Sequence, residues 1–509
     1  MPRMLTLPAF LLASSLLMQA QTTPPVQRIA LREALQVALE QNLQVQIARE
    51  AQTATSAEVP IAEGVFDWNL FSNFSYGRQD TASTRGLYAT GPLATTDGTT
   101  WNRAFSLGVQ KPFGWGGNFQ VSYAPSYSFS GGEYLNPNTG APIGTFGTRY
   151  PYSGSLSGSY SQNLLKGFGR VANEVGIIVA KNSAQAADHQ FGLALINLVA
   201  GTEAQYWDLV YATRNLENTK AALALAQEQL DDNRAKVREG TLAEIEITSA
   251  EAAVAKQKLA LITAQSELRN AQDSLLRSLY PSEPARSKWL EPTDAPELEG
   301  PQQDEAAAET RAIQDRLELK AARLAQVSAK AQRIAAQNRL LPQLNGFVSY
   351  QATSDNHTAL GPVQGDLASS TYPGYAVGFT FAIPIANRSA KGSLTQAQAQ
   401  ERGSELALRD LELGIRLQVR LAFERVAASR EAVEAARTAR IFREADLQAE
   451  KKKYENGMST NFLVFAKQND LDSARAAELQ AQIGYAKAVT AREQATGHLL
   501  EARGFATSH

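Results

Sequence analysis

The chain has 509 residues, 20% of them charged, with a formal net charge of -2 and a mean hydropathy of -0.28. That length exceeds one ordinary core, the charge content excludes a bundle of membrane helices, and the scattered Lys and Arg leave no basic face for nucleic acid. Cys is absent, which excludes thiolate metal sites, Cys nucleophiles, disulfides and N-terminal lipidation; His189, His357, His498 and His509 lack ligand spacing and read as plain surface residues.

Residues 1–20 read as a secretory signal, with Arg3 ahead of an apolar run from Leu5 to Met18, and the mature chain is expected to start near Gln21. Proline then parses the rest, because an interior Pro costs a helix about 3 kcal/mol. None occurs from Val171 to Tyr280, from Gln302 to Leu341 or from Ile385 to His509, and these stretches are predicted to be long helices. In the first, Leu209, Leu216, Leu223, Leu230 and Val237 recur at every seventh position, as do Ile247, Val254, Leu261, Leu268 and Leu275. That is coiled-coil spacing, with Ala212 and Ala226 forming a small-residue seam. At about 1.5 Å per residue such a helix reaches roughly 100 Å, more than a globular domain needs.

Six segments alternate apolar with small polar residues and read as strands: "WNLFSNFSYGRQ" from Trp68, "RAFSLGVQKPF" from Arg103, "GNFQVSYAPSYSFS" from Gly117, "YSGSLSGSYSQNLL" from Tyr152, "PQLNGFVSYQATS" from Pro342 and "YPGYAVGFTFAIPI" from Tyr372. Each suits a tilted bilayer crossing of roughly 9 to 11 residues, and Trp68, Tyr76, Trp101, Tyr123, Tyr127 and Tyr350 are candidates for aromatic girdles.

The chain also repeats itself at a constant offset of 274 residues, which lays "FSNFSY" ending at Tyr76 over "NGFVSY" ending at Tyr350. A second correspondence lays "REGTLAEIEITSAE" over "ENGMSTNFLVFAKQ", Gly240 over Gly457. The expected domains are therefore a first repeat at 21–280 with strands from about 64 to 165, a linker at 281–301 too rich in Pro for regular structure, and a second repeat at 302–509 with strands from about 342 to 385. The Gly-rich "KPFGWGGNF" and "LLKGFGRVAN" lack a phosphate-loop or dinucleotide pattern and read as turns; the basic run in "EKKKYENG" reads as cations at a helix C-terminus. Glu244, Glu246 and Glu251 cluster near one tip but read as solvated charge, so neither catalysis nor a cofactor is expected.

These residues resemble the outer-membrane efflux protein family, whose best-known member is TolC. The opening helix "IALREALQVALEQNL", the helix-into-strand "AQNRLLPQLNGFVSY", the strand-into-helix "YSQNLLKGFGRVANEVGIIVAKNSAQ" and the tips "VREGTLAEIEITSAE" and "YENGMSTNFLVFAKQ" carry the resemblance in order. It implies an α+β membrane protein: a homotrimer in which two structural repeats per protomer build a coiled-coil α-barrel continuous with a transmembrane antiparallel β-barrel. It implies outer-membrane lipid around the barrel, and a periplasmic membrane-fusion adaptor with an inner-membrane pump docking at tip residues Gly240, Thr241, Gly457 and Met458. It further implies a gate in which Glu246 accepts a hydrogen bond from Tyr454, and Leu463 here makes the constriction apolar rather than acidic. The sequence departs from the family at "GVFDWNLF", which lacks the Pro found in "LLPQLNGF", and in the length of the first strand region. Twelve strands per trimer is the family pattern, kept as the expectation with the extra first-half hairpin folded over or outside the pore; eighteen is geometrically permitted. A secreted coiled-coil scaffold and a barrel-anchored surface receptor are the alternatives.

Overall fold

In the computed structural model, the Pro-free stretches are helices and the alternating stretches are strands. The structure describes residues 25–86, 94–136, 138–282, 288–296 and 304–505; the expected export signal and His509 lie outside them, as does part of the expected linker. The chain begins with β1 (Val26–Ile29), α1 (Leu31–Gln41), α2 (Leu43–Ser56) and α3 (Glu58–Glu63). Strands β2 (Asn69–Gly86), β3 (Ala94–Pro112), β4 (Gly117–Leu135), β5 (Pro142–Gly147) and β6 (Tyr152–Asn163) follow. Then come α4 (Arg170–Asn173), α5 (Val175–Arg238), α6 (Ile245–Leu279) and β7 (Trp289–Pro292). The second half holds α7 (Glu305–Asp315), α8 (Leu317–Asn338), β8 (Gln343–Thr353), α9 (Leu360–Ser369), β9 (Tyr372–Ala382), α10 (Arg388–Glu455), α11 (Asn461–Thr496) and α12 (Leu499–Ala502). Among the described residues no helix is long and apolar enough to cross a membrane.

Residues divide into two units, each drawing on both halves of the sequence. The first comprises Met1–Val45, Leu195–Glu305 and Val419–His509. Its core is the predicted heptad seam: Leu209, Leu268 and Leu275 cluster with Tyr206 and Val210, and Leu230, Val254 and Ala226 cluster with Leu223 and Ile247. Each fully buried Leu contributes about 1.5–3 kcal/mol of transfer free energy, while Ala212 and Ala226 leave room for close approach of the neighbouring helix.

The linker corrects an expectation. Trp289–Pro292 is strand β7, paired in parallel with β1 from Val26↔Trp289 to Ile29↔Pro292. Proline falls only at the strand's last residue, where it ends the pairing. Buried side chains complete the ribbon's hydrogen bonds: Leu290 N–H donates to Gln272 Oε1 at 3.0 Å, and Thr293 N–H donates to the Tyr206 hydroxyl at 3.2 Å. Tyr206 in turn donates to Asp294 at 2.6 Å, and burial pushes its phenol well above the ordinary range.

The second unit, Gln46–Ala194 and Ala306–Gln418, contains the main sheet. Its order is β2-β3-β4-β6-β8-β9, with β5 added beside the far end of β4, and every pairing is antiparallel. The extra first-half hairpin is continuous with the rest of this sheet: β3 pairs with β2 on one side and β4 on the other, and β4 continues to β6. The reason is that alternation persists through both strands, so each offers a full ladder to its neighbours. Where the first half lacks the junction Pro, a 3₁₀ turn at Gly64–Phe66 leads into β2.

A second feature was unforeseen. The β8–β9 connection, Gly- and Pro-containing, forms α9 because Val363 and Leu367 bury against Ala352, Tyr123 and Tyr152. His357 is not a plain surface residue: its Nε2 lies 2.6 Å from Asp366 on α9, and this contact holds the Asp366 carboxyl below the usual carboxylate range.

Candidate functional site

The two tips, both in the first unit, are built alike. At the end of α5, Gly240 adopts φ +75°, its N–H donates to Val237 O at 3.0 Å, and Thr241 N–H donates to Lys236 O at 2.9 Å. At the end of α10, Gly457 adopts φ +73°, its N–H donates to Tyr454 O at 3.0 Å, and Met458 N–H donates to Lys453 O at 2.8 Å. These paired bonds satisfy the last helical carbonyls and require a left-handed residue, for which glycine lacks the steric penalty of a side chain. Lys236, Arg238, Lys452 and Lys453 in the last turns complement the helix dipoles, as the basic run implied.

All four predicted tip residues, Gly240, Thr241, Gly457 and Met458, are exposed. Apolar side chains accompany them: Met458 is 72% exposed, Phe462 71% and Ile245 66%. The second turn is braced by Ser459, which donates to the buried Glu450; that hydroxyl and the Lys453 ammonium hold the Glu450 carboxyl below the usual range. The first is braced by Asn233, fully buried, whose Nδ2 donates to the Glu246 carbonyl at 3.4 Å.

Of the expected gate residues, Glu246 and Tyr454 are half-buried and Leu463 is 42% exposed. Within the protomer no hydrogen bond joins Glu246 to Tyr454. Tyr454 instead packs against Leu447, Val464 and Leu471, with the Lys236 ammonium 4.8 Å from its ring centroid. This cation–π contact ties the first-tip helix to the second and was missed from sequence; Lys236 and Tyr454 stand four and three residues before their glycines, which is the only signal of it.

In the second unit, the sheet register divides side chains between two faces. Leu70, Phe74 and Tyr76 of β2 share a face with Phe105, Leu107 and Val109 of β3, Phe119, Val121 and Tyr123 of β4, Tyr160 of β6, Val348 and Tyr350 of β8, and Tyr375, Val377, Phe379 and Phe381 of β9. Many are strongly exposed in the single chain, Tyr375 at 87% and Phe379 at 75%. Of the expected girdle residues, Tyr76, Trp101, Tyr123, Tyr127 and Tyr350 fall in this face's register, and Trp68 stands one residue before β2. Trp68 meets Phe119 at 6.3 Å near one end of the band; Tyr76 meets Trp101 at 6.0 Å and Tyr127 meets Tyr152 at 5.0 Å near the other. The Gly-rich turn between β3 and β4 is confirmed: Phe113 N–H donates to Gly117 O at 2.8 Å. Among the described residues no cluster of His, Asp and Glu has the makings of a metal site.

The chain thus combines a long helical part with an antiparallel sheet that is two-faced and open at both edges. The outer membrane efflux protein family model matches residues 130–279 and 310–498, and the chain belongs to that family. Its members are transport conduits of the outer membrane, so the chain conducts rather than catalyses. Among solved structures the fold is similar to the CmeC outer membrane channel of Campylobacter jejuni, at 15% identity and a TM-score of 0.64, over 94% of this chain and 87% of that one. It is similar to VceC of Vibrio cholerae at 15% identity and 0.64, over 92% and 96%, and to the open-state MtrE channel of Neisseria gonorrhoeae at 17% and 0.61, over 92% and 89%. No curated protein matches by sequence.

Proposed function

We infer that three copies of this chain form the outer-membrane exit duct of a tripartite efflux or type I secretion system, passing cargo delivered by an inner-membrane pump through a periplasmic adaptor. The observation that carries this reading is the sheet. An apolar face bounded by aromatic rows fits lipid, and β2 and β9 each pair on one side only, so a lone protomer would leave open strand edges in hydrocarbon, which is prohibitively costly. Association of like chains closes those edges into a barrel. The repeats at 21–280 and 302–509 each supply strands and a helix pair to the duct, joined by 281–301.

The adaptor docks on the exposed turns at Gly240, Thr241, Gly457 and Met458, where Phe462 and Ile245 add apolar contact. Between neighbouring protomers Glu246 accepts from Tyr454 and Leu463 narrows the closed tip. The test is native mass in mild detergent with efflux complementation in cells lacking the resident duct: a folded trimer that restores efflux is expected, and a stable folded monomer contradicts the reading.

A further inference from the structure

The strands that exceed the family pattern, β3 and β4, carry the same two faces as their neighbours. Leu107 and Val109 of β3 register with Ser72 and Leu70 of β2 on one side and with Tyr123 and Val121 of β4 on the other. The apolar band thus continues across the hairpin at one height. A hairpin folded over a pore needs no such band; a strand inside a membrane wall does. The opposite face is uncharged. On β6 it reads Ser153, Ser155, Ser157, Ser159 and Ser161, against Ser126 and Ser122 of β4 and Ser349 of β8. Among the described side chains of these six strands, Arg78, Asp80, Arg103, Lys111 and Glu133 are the charged ones, and all five stand in the register of the apolar face, toward the ends of its band.

We propose, resting on the exit-duct reading, that the trimer wall has eighteen strands around a wide, uncharged bore that passes bulky hydrated cargo without selecting its charge. Six strands per chain is an even number, so β9 of one copy meets β2 of the next antiparallel, as every other pair in the sheet does. Strand spacing and tilt give roughly 36 Å between opposite backbones for eighteen strands against about 24 Å for twelve. Side chains take about 5 Å from each wall, leaving bores of about 26 Å and about 14 Å. Serine, asparagine and glutamine hydrate such a bore and place no fixed charge in it, so counter-ion focusing, which sorts solutes by sign, is absent.

The chain has no Cys, so single substitutions report position without background. Leu107→Cys and Val121→Cys, each labelled with a small fluorophore and reconstituted, are expected to be quenched by brominated lipid. Ser106→Cys and Ser122→Cys are expected to react with water-soluble thiol reagents graded in size from about 14 to about 26 Å, the interval that separates the two bores. Anionic sulfonate and cationic ammonium thiol reagents should label these two positions within about twofold of each other after correction for free thiol, because a charged bore would favour one sign tenfold or more. Unquenched Leu107→Cys and Val121→Cys, or labelling that stops at the smaller size, overturns the eighteen-strand wall; a tenfold preference for one sign overturns the uncharged bore. The mass of each variant in detergent separates the two readings: a monomer contradicts the exit duct itself, whereas a trimer failing the lipid test contradicts only the strand count.

Discussion

The tips and the sheet treat the internal repeat in opposite ways. At the tips the two halves are near copies, Gly240 at φ +75° and Gly457 at φ +73° with the same pair of backbone hydrogen bonds. In the sheet the second half supplies β8 and β9, of 11 residues each, while the first supplies β2, β3 and β4, of 18 or 19 residues, as well as β5 and β6. On the proposed reading, a tip presents one docking geometry repeatedly around a ring. A wall needs only that each added strand keep the two-faced alternation and that the total stay even, so it can be enlarged by a hairpin at a time.

The largest effect should come from the wall. Phe105→Lys sets a cation on the apolar face near the middle of the band, at about 2–4 kcal/mol per chain near a bilayer midplane, and should abolish the trimer in outer-membrane fractions. Ser106→Lys, one residue on, faces the other way and should leave assembly intact. Equal tolerance of both would remove β3 from the wall and restore the symmetry of the repeats.

Next come the tips. A side chain at Gly240 or Gly457 meets no atom within 4 Å, so Gly240→Val and Gly457→Val add only left-handed backbone strain, about 1–2 kcal/mol each. Each should abolish efflux complementation while preserving the trimer and its insertion. Loss at one tip alone would break their equivalence.

The gate effect is smaller. Tyr454→Phe and Glu246→Gln should each raise single-channel conductance, and the double variant should add little beyond either, as expected of two groups sharing one bond. Unchanged conductance in both leaves Tyr454 as the ring beneath Lys236 and nothing more.

The smallest concerns Asp472, on α11 in the tip unit. Burial raises its carboxyl above the usual range, and one carboxyl oxygen has no partner. Ionisation therefore destabilises the fold: the cost is absent below about pH 3.9, where the group is protonated in both states, and is complete once pH exceeds the folded value. Asp472→Asn should raise the melting temperature at pH 7 relative to the parent and change it little at pH 4; no difference at either pH would show the site to be hydrated.

Much of this was legible in sequence because it rests on local rules. Proline exclusion marked α5, α6, α10 and α11, the heptad leucines marked the buried seam, and aligned glycines marked both tips. What was hidden depends on distant partners. β7 is not legible locally because its stability comes from pairing with β1, at the opposite end of the first repeat, and from the Gln272 side chain on α6, while its Pro-rich surroundings read as linker. α9 forms because Tyr123 and Tyr152 give Val363 and Leu367 a surface, although its own glycines and proline argue for a loop. The place of β3 and β4 inside the sheet is legible in the alternation both strands carry, which the family pattern of a single first-half hairpin does not include.

The most direct test of the account is an electron cryo-microscopy map of the protein in a lipid nanodisc. A threefold assembly with eighteen strands in one closed wall, Leu107 and Val121 turned to lipid and Ser106 and Ser122 to the bore, is the expected result. Twelve strands with β3 and β4 outside the wall, or a sheet that remains open in a single chain, would contradict it.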